Sequence, residues 1–173
     1  MIKLSKEELL ERLEQLDTDA TLLFDNEDKY YVYISGGCAL ILAGYTSRAT
    51  SDIDVIDASR VLYSLFSKYQ MNGHIAAFIN SFPFNFEDRV ELILKGEKID
   101  FYSVSLEDVV ISKLCAFRPS DKDDLKAVAK YVNWDKLELL ATNEDELRTL
   151  KMNDSHYLFF THAYNEYVEE YKP

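Results

Sequence analysis

Tyr30-Tyr31-Val32-Tyr33-Ile34-Ser35-Gly36-Gly37, followed after a short apolar stretch by Asp52-Ile53-Asp54-Val55-Ile56-Asp57, decides how this chain is read. Aromatic and β-branched residues fill Tyr30–Ser35, which reads as a strand. Gly36-Gly37 then turns the chain, and residues 38–45, nearly all apolar, read as a short buried helix. Residues 52–57 read as a second strand. In a strand, residues i and i+2 point to the same face, so Asp52 and Asp54 stand side by side there.

Two adjacent carboxylates raise each other's pKa and destabilise the fold unless a cation lies between them. A mid-strand Asp such as Asp54 is disfavoured without a partner. Mg²⁺ suits such a pair, since it takes oxygen ligands and keeps waters and substrate phosphates as partners. Ser35, Gly36 and Gly37 present bare backbone N–H groups where a helix begins, a place for phosphate. The plainer reading of Ser35-Gly36-Gly37 is a strand-to-helix turn needing positive φ. The carboxylate pair just beyond it tilts the reading toward chemistry on a nucleoside triphosphate.

Working outward, Ser5-Lys6-Glu7-Glu8 looks like a capping box, and Leu9, Leu10, Leu13 and Leu16 continue at helical spacing. That helix is expected to end near residues 17–20. Residues 58–70 read as helix, and 73–88, with Phe78, Phe82, Phe84 and Phe86, as strand, loop or lid. Residues 89–94 alternate, 95–97 turn, and 98–104 alternate again, the best hairpin signal in the chain. Ser105 and Asp108 can cap a helix running to about Phe117. Pro119-Ser120 is expected to break it, with a further helix over 121–132 and a charged, then Tyr/Phe-rich, helical region beyond Trp134. The expected fold is α/β (α+β): a small mixed β-sheet flanked by helices over residues 1–118, with a helical region, 119–173, packed on it.

Composition narrows the class. The chain has 173 residues, 47% of them hydrophobic and 13% aromatic, enough for a packed core and against disorder. No apolar run approaches the roughly 20 residues of a membrane span, and the start carries no signal-peptide pattern, so a cytoplasmic protein is expected. Cys38 and Cys115 read as buried free thiols. His74, His156 and His162 are scattered and make no zinc signature. The net charge of −12 disfavours indiscriminate nucleic-acid binding and suits a cationic small substrate or a basic protein partner.

Further candidates lie beyond the glycine turn and the carboxylate pair. Asp100, mid-strand in Lys98-Ile99-Asp100-Phe101-Tyr102, is the preferred third carboxylate, with Glu91 its competitor; a cross-strand pair with Arg89 or Lys98 is the plain alternative. Arg48 can bind a triphosphate, pair with the carboxylates, or be a solvated loop residue. Lys113, in an otherwise apolar helix segment, can meet a phosphate, balance carboxylates, or extend its stem to solvent. Lys113 and Arg118 are five apart, so they converge only if the helix ends before Arg118. Asp121 and Asp124 can orient Arg118 or cap the next helix.

The string Gly36-Gly37-x-Ala39-Leu40-x(3)-Gly44-x(3)-Arg48-x-Thr50-x-Asp52-x-Asp54 resembles the signature of the polymerase-β-like nucleotidyltransferases. Leu106-Glu107-Asp108-Val109-x(3)-Lys113-Leu114-x-Ala116-x-Arg118-x(2)-Asp121-x(2)-Asp124-Leu125 resembles their minimal bacterial type, including the toxin-type enzymes linked to abortive phage infection. The resemblance covers about residues 30–130. It implies two Mg²⁺ ions and transfer of a nucleoside monophosphate from a triphosphate to an acceptor. It further implies metal binding by Asp52, Asp54 and Asp100, with Asp100 helping to activate the acceptor hydroxyl. Ser35, Gly36 and Gly37 would hold the triphosphate, and Lys113 and Arg118 would contact phosphate or acceptor. Cys38 and the short Lys113-to-Arg118 spacing depart from the pattern.

Two expectations result. The first is an Mg²⁺-dependent nucleotidyltransferase acting on RNA, protein or a small molecule, as a toxin of a toxin–antitoxin system with an antitoxin-like partner. The second is a catalytically inactive nucleotide-binding or protein-interaction module of the same fold.

Overall fold

The computed structural model describes residues 3–48, 50–73 and 79–173. They divide into two compact units: Met1–Ala77 with Val90–Val104, and Phe78–Arg89 with Ser105–Pro173. The first carries the sheet and the second is helical. The division expected at residue 118/119 falls inside the second unit.

The first unit opens with helix α1, Lys6–Leu23, capped by Ser5 and Glu8 in a complete capping box. It runs past the expected stop, with Ala20 still buried in its stripe, and Thr18 and Thr21 turn their hydroxyls inward to donate to the carbonyls of Glu14 and Asp17, at 3.0 and 2.8 Å. Leu9, Leu13, Leu16 and Ala20 form its buried stripe.

Strand β1 (Tyr30–Ser35) leads directly into helix α2 (Gly36–Leu42), and strand β2 (Ile53–Ala58) returns antiparallel to β1. Residues 60–69 wind as a 3-10 rather than an α-helix, before the two-residue strand β3, Met71–Asn72. Strands β4 (Glu91–Lys95) and β5 (Ile99–Ser103) form the expected antiparallel hairpin, and β5 pairs parallel with β1. The mixed sheet has the order β3-β2-β1-β5-β4. Val32, Ile34, Ile53, Val55, Ile99 and Phe101 are all buried with the stripe of α1 and the apolar face of α2. Asp17 fixes the hairpin to α1 by accepting the N–H groups of Glu97, Lys98 and Ile99.

The β1–β2 ladder carries one irregularity. Tyr33 pairs with Asp57 but its neighbour Ile34 pairs with Val55, so Ile56 is an extra residue, a β-bulge. Val55 and Ile56 are therefore both buried, and Asp54 and Asp57, three apart, share a face.

In the second unit, helix α3 (Leu106–Ala116) starts at Ser105, whose hydroxyl accepts the Asp108 N–H. It is buried almost all round, polar residues included. Phe117 ends it in the left-handed region, and helix α4 (Pro119–Val128) begins at once. The chain breaks between the two helices as expected, but the second starts at Pro119 rather than at 121, since a first-turn residue needs no N–H. Helices α5 (Trp134–Thr142), α6 (Arg148–Lys151) and α7 (Asp154–Tyr171) complete the unit, the first and last capped by Asn133 and Asn153. Phe160, Ala163 and Tyr167 of α7 are buried, and the Tyr167 hydroxyl donates to the Leu125 carbonyl at 2.9 Å. Arg89 forks onto the fully buried Asp108 with two 2.9 Å hydrogen bonds and also meets Glu146. No described helix is long and apolar enough to cross a membrane.

Candidate active site

The site is built where β1 ends. Ser35 closes the strand, and Gly36 turns the backbone with φ of +69°, a conformation that costs a residue with a Cβ about 1–2 kcal/mol. Ser35 pairs with Asp54 across the ladder, so the turn and the carboxylate meet. They meet so closely that a Cβ on Gly36 would overlap the Asp54 carboxyl group. Glycine is required here twice, for the dihedral and for the space.

Cys38 holds this junction from below. Its thiol donates to the Ser35 carbonyl at 2.9 Å, and its sulfur accepts the Asp54 N–H at 3.2 Å. Burial, assisted by the charge of Asp54, raises the Cys38 pKa far above the ordinary thiol range, so it is a structural thiol and no nucleophile.

Asp52 precedes β2 and is exposed, whereas Asp54, its second residue, is half-buried. Arg48 is exposed on the segment between α2 and β2. The Ser35 side chain is fully buried, and its hydroxyl has no hydrogen-bond partner among the described residues. Buried polar atoms are normally satisfied, so this hydroxyl is one that an oxygen or N–H of a ligand would complete.

Asp100 is not brought to this group. It pairs with Tyr31, four positions before Ser35, which puts it roughly 13 Å down the strand, with β1 standing between β5 and β2. There it lies 3.3 Å from the Lys29 ammonium, a charge contact without hydrogen-bond geometry. Glu91 is exposed on the edge strand opposite Ser103. Among the described residues no three His, Cys, Asp or Glu side chains are placed to hold one metal ion. Asp100 is therefore removed from the expected three-carboxylate set, which leaves Asp54 on β2 and Asp52 on the bend just before it as the candidates. A pair still fits Mg²⁺, which binds through one or two carboxylates and completes its octahedron with water and substrate phosphate.

Lys113 and Arg118 lie in the second unit. The Lys113 ammonium is buried between Asp124, at 2.9 Å, and Asp121, at 3.3 Å. It neither reaches solvent nor sits in an apolar sheath. Arg118 caps α4, its Nε donating to Asp121 at 2.8 Å while most of its side chain is exposed. Burial alone would raise the Asp121 carboxyl, but the Arg118 hydrogen bonds and the Lys113 charge outweigh it and hold it below the usual range.

Sequence reasoning missed Asp57 and its aromatic surroundings. Asp57 lies on the same face as Asp54, accepting the Tyr31 hydroxyl at 3.2 Å and the Ala58 N–H at 2.9 Å. Its signal was the third Asp of Asp52-x-Asp54-x-x-Asp57, whose odd spacing hides a shared face until the bulge at Ile56 is known. The alternation Tyr31, Tyr33, Ser35 marks the same face on β1.

A family model described as "Nucleotidyltransferase of unknown function (DUF6036)" matches residues 11–172. Comparison with curated proteins and with solved structures gave no match.

Proposed function

Because the chain belongs to this family of nucleotidyltransferases of unknown function, DUF6036, we propose that it moves a nucleoside monophosphate from a triphosphate to an acceptor hydroxyl, with Mg²⁺ held at Asp52 and Asp54. The observation that carries this reading is the Asp54 carboxylate lying against Gly36. A phosphate received over Gly36 and Gly37 lies beside the carboxylates that would hold its metal.

In such a transfer the acceptor oxygen forms a bond to the α-phosphorus as the bond to the bridging oxygen breaks, and pyrophosphate departs with the electron pair. Bound Mg²⁺ supplies charge neutralisation on the phosphate oxygens. The chain's own contribution is positioning. Gly36 and Gly37 expose backbone N–H groups to phosphate, and the buried Ser35 hydroxyl donates to a phosphate oxygen. Cys38 fixes the height of Asp54 through its N–H. The acceptor's proton leaves through the exposed Asp52 carboxylate to water.

The test is a titration of the four ribonucleoside triphosphates, with and without Mg²⁺, on wild type and Asp54→Asn. Mg²⁺-dependent binding lost in the variant supports the reading; binding indifferent to both metal and variant overturns it. As the toxin of a toxin–antitoxin pair, the chain would arrest growth when expressed alone, and Asp54→Asn would not.

The position of Asp100 favours one other reading. With only two carboxylates at the site, the fold would bind a nucleotide without turning it over, as an interaction module. Mg²⁺-dependent triphosphate binding with no release of pyrophosphate in the presence of cell extract would select it.

A further inference from the structure

The sheet face that carries Asp54 continues down β1 as a wall of tyrosines. Tyr31 and Tyr33 have ring centroids 4.8 Å apart, and Tyr102 of β5 stands edge-on to Tyr33 at 5.6 Å. All three are half-buried. Asp57 sits opposite Tyr33, against the edge of this wall, and takes the Tyr31 hydroxyl. We infer that Tyr31, Tyr33, Tyr102 and Asp57 form the acceptor subsite, and that the acceptor is a small organic cation bearing a hydroxyl group. This rests on the nucleotidyl-transfer reading and deepens it.

The chemistry of the face selects a cation. Tyrosine faces attract ammonium groups through the ring quadrupole, the more strongly the better the site excludes water. The Tyr31 phenol remains neutral: burial and the charge of Asp57 push its hydroxyl up to about 12. Among the described residues no lysine or arginine pairs with Asp57, whereas Asp100, at the far end of the face, has Lys29. Among the described residues the half-buried carboxylate of Asp57 has only neutral donors, the Tyr31 hydroxyl and the Ala58 N–H, and an arriving ammonium group would complete it. An anion would meet Asp57 and Asp54 together. A neutral ring could stack on the tyrosines but would leave Asp57 uncompensated. The Ser35 hydroxyl, fully buried and without a hydrogen-bond partner among the described residues, lies on this face between the tyrosine wall and Asp54, so the acceptor subsite adjoins the place given to phosphate. The acidic surface of the whole chain, at −12, favours the approach of cations.

The experiment titrates the full chain with choline and ethanolamine, which pair a cation with a hydroxyl, and with 3,3-dimethylbutan-1-ol, the uncharged isostere of choline. Chemical-shift changes of the tyrosine ring protons report binding. At least one cation is expected to bind, with the isostere about tenfold weaker or worse, a difference of about 1.4 kcal/mol. Asp57→Asn, which keeps an acceptor for Tyr31, and Tyr33→Leu should each weaken the cation about tenfold, while Tyr33→Phe should not. Equal binding of cation and isostere, binding by neither cation, or wild-type affinity in Asp57→Asn would each overturn the assignment. Failure of the transfer reading shows in a different measurement. Cation binding without Mg²⁺-dependent triphosphate binding leaves this site standing and removes its role in transfer, and the converse removes the acceptor subsite alone.

Discussion

The carboxylate of Asp54 rests on Gly36, with no room for a methyl group between them. Strand register, a left-handed dihedral and a sulfur hydrogen bond all serve that contact. Ser35 pairs with Asp54, Gly36 takes φ of +69°, and Cys38 accepts the Asp54 N–H. The turn from β1 into α2 and an acidic side chain of β2 thereby become one surface.

Gly36→Ala is therefore expected to do two kinds of damage. The dihedral alone costs about 1–2 kcal/mol, and the new methyl group must displace Asp54. Thermal unfolding should shift down by several degrees, and Mg²⁺-dependent triphosphate binding should fall by more than tenfold. A stable variant that binds as wild type would show that the Gly36–Asp54 contact has no part in ligand binding.

Asp54→Asn and Asp100→Asn separate the carboxylates by role. The first should abolish Mg²⁺-dependent triphosphate binding with the fold intact by circular dichroism. The second removes only a partner of Lys29, a partly exposed ion pair of the kind worth about 0–1 kcal/mol, and should leave binding within about twofold of wild type. Equal loss in both variants would return Asp100 to the site.

Legibility in the sequence depended on which interactions are local. The β4–β5 hairpin, the β1 strand and the Gly36 turn were readable because alternation and glycine chemistry act within a few residues. Strand order was not, and it is strand order that separates Asp100 from Asp54 by the width of β1. The same limit applies to Ile56: a bulge breaks the period of two, so Asp54 and Asp57 read as opposite faces although they share one. The break at Pro119 was readable, but the start of the next helix was placed at 121 because its cap, Arg118 with Asp121, shows only in the structure. The run 60–69 carries helical spacing, and its 3-10 winding left no mark in the sequence.

Both cysteines should be inert in the folded protein. Burial raises the Cys115 thiol to about 12, and Cys38 is raised further still. In the unfolded chain a thiol titrates near about 8.5. A raised folded-state value means the fold retains a proton that the unfolded chain gives up. This contribution to stability is complete below the unfolded value and is lost as pH rises from there toward the folded one. A thiol reagent at mildly alkaline pH should label neither cysteine until denaturant is added. Cys38→Ala should cost about 1–3 kcal/mol, because it leaves the half-buried N–H of Asp54 without its sulfur acceptor. Rapid labelling of Cys38 in the native state would contradict its burial at this junction.

The ion cluster of Lys113, Asp121 and Asp124 makes the second unit sensitive to acid. The Asp121 carboxyl is held low because Arg118 and Lys113 outweigh the effect of burial. The folded protein keeps this carboxylate charged where the unfolded chain would bind a proton. The stabilisation is fully present above the unfolded value, about 3.9, and is lost as pH falls through the lower folded value. Asp121→Asn removes one partner of a buried ammonium group, but Asp124 still holds it at 2.9 Å. The expected loss near neutral pH is about 3 kcal/mol, the lower end for breaking a buried pair. Because Arg118 is mostly exposed, its share of that figure is small. Denaturant unfolding of wild type and variant should differ by this amount at neutral pH, and the two curves should draw together as the solution is acidified below the unfolded carboxylate range. A difference that stays constant with pH would mean that Asp121 acts through packing and not through its charge.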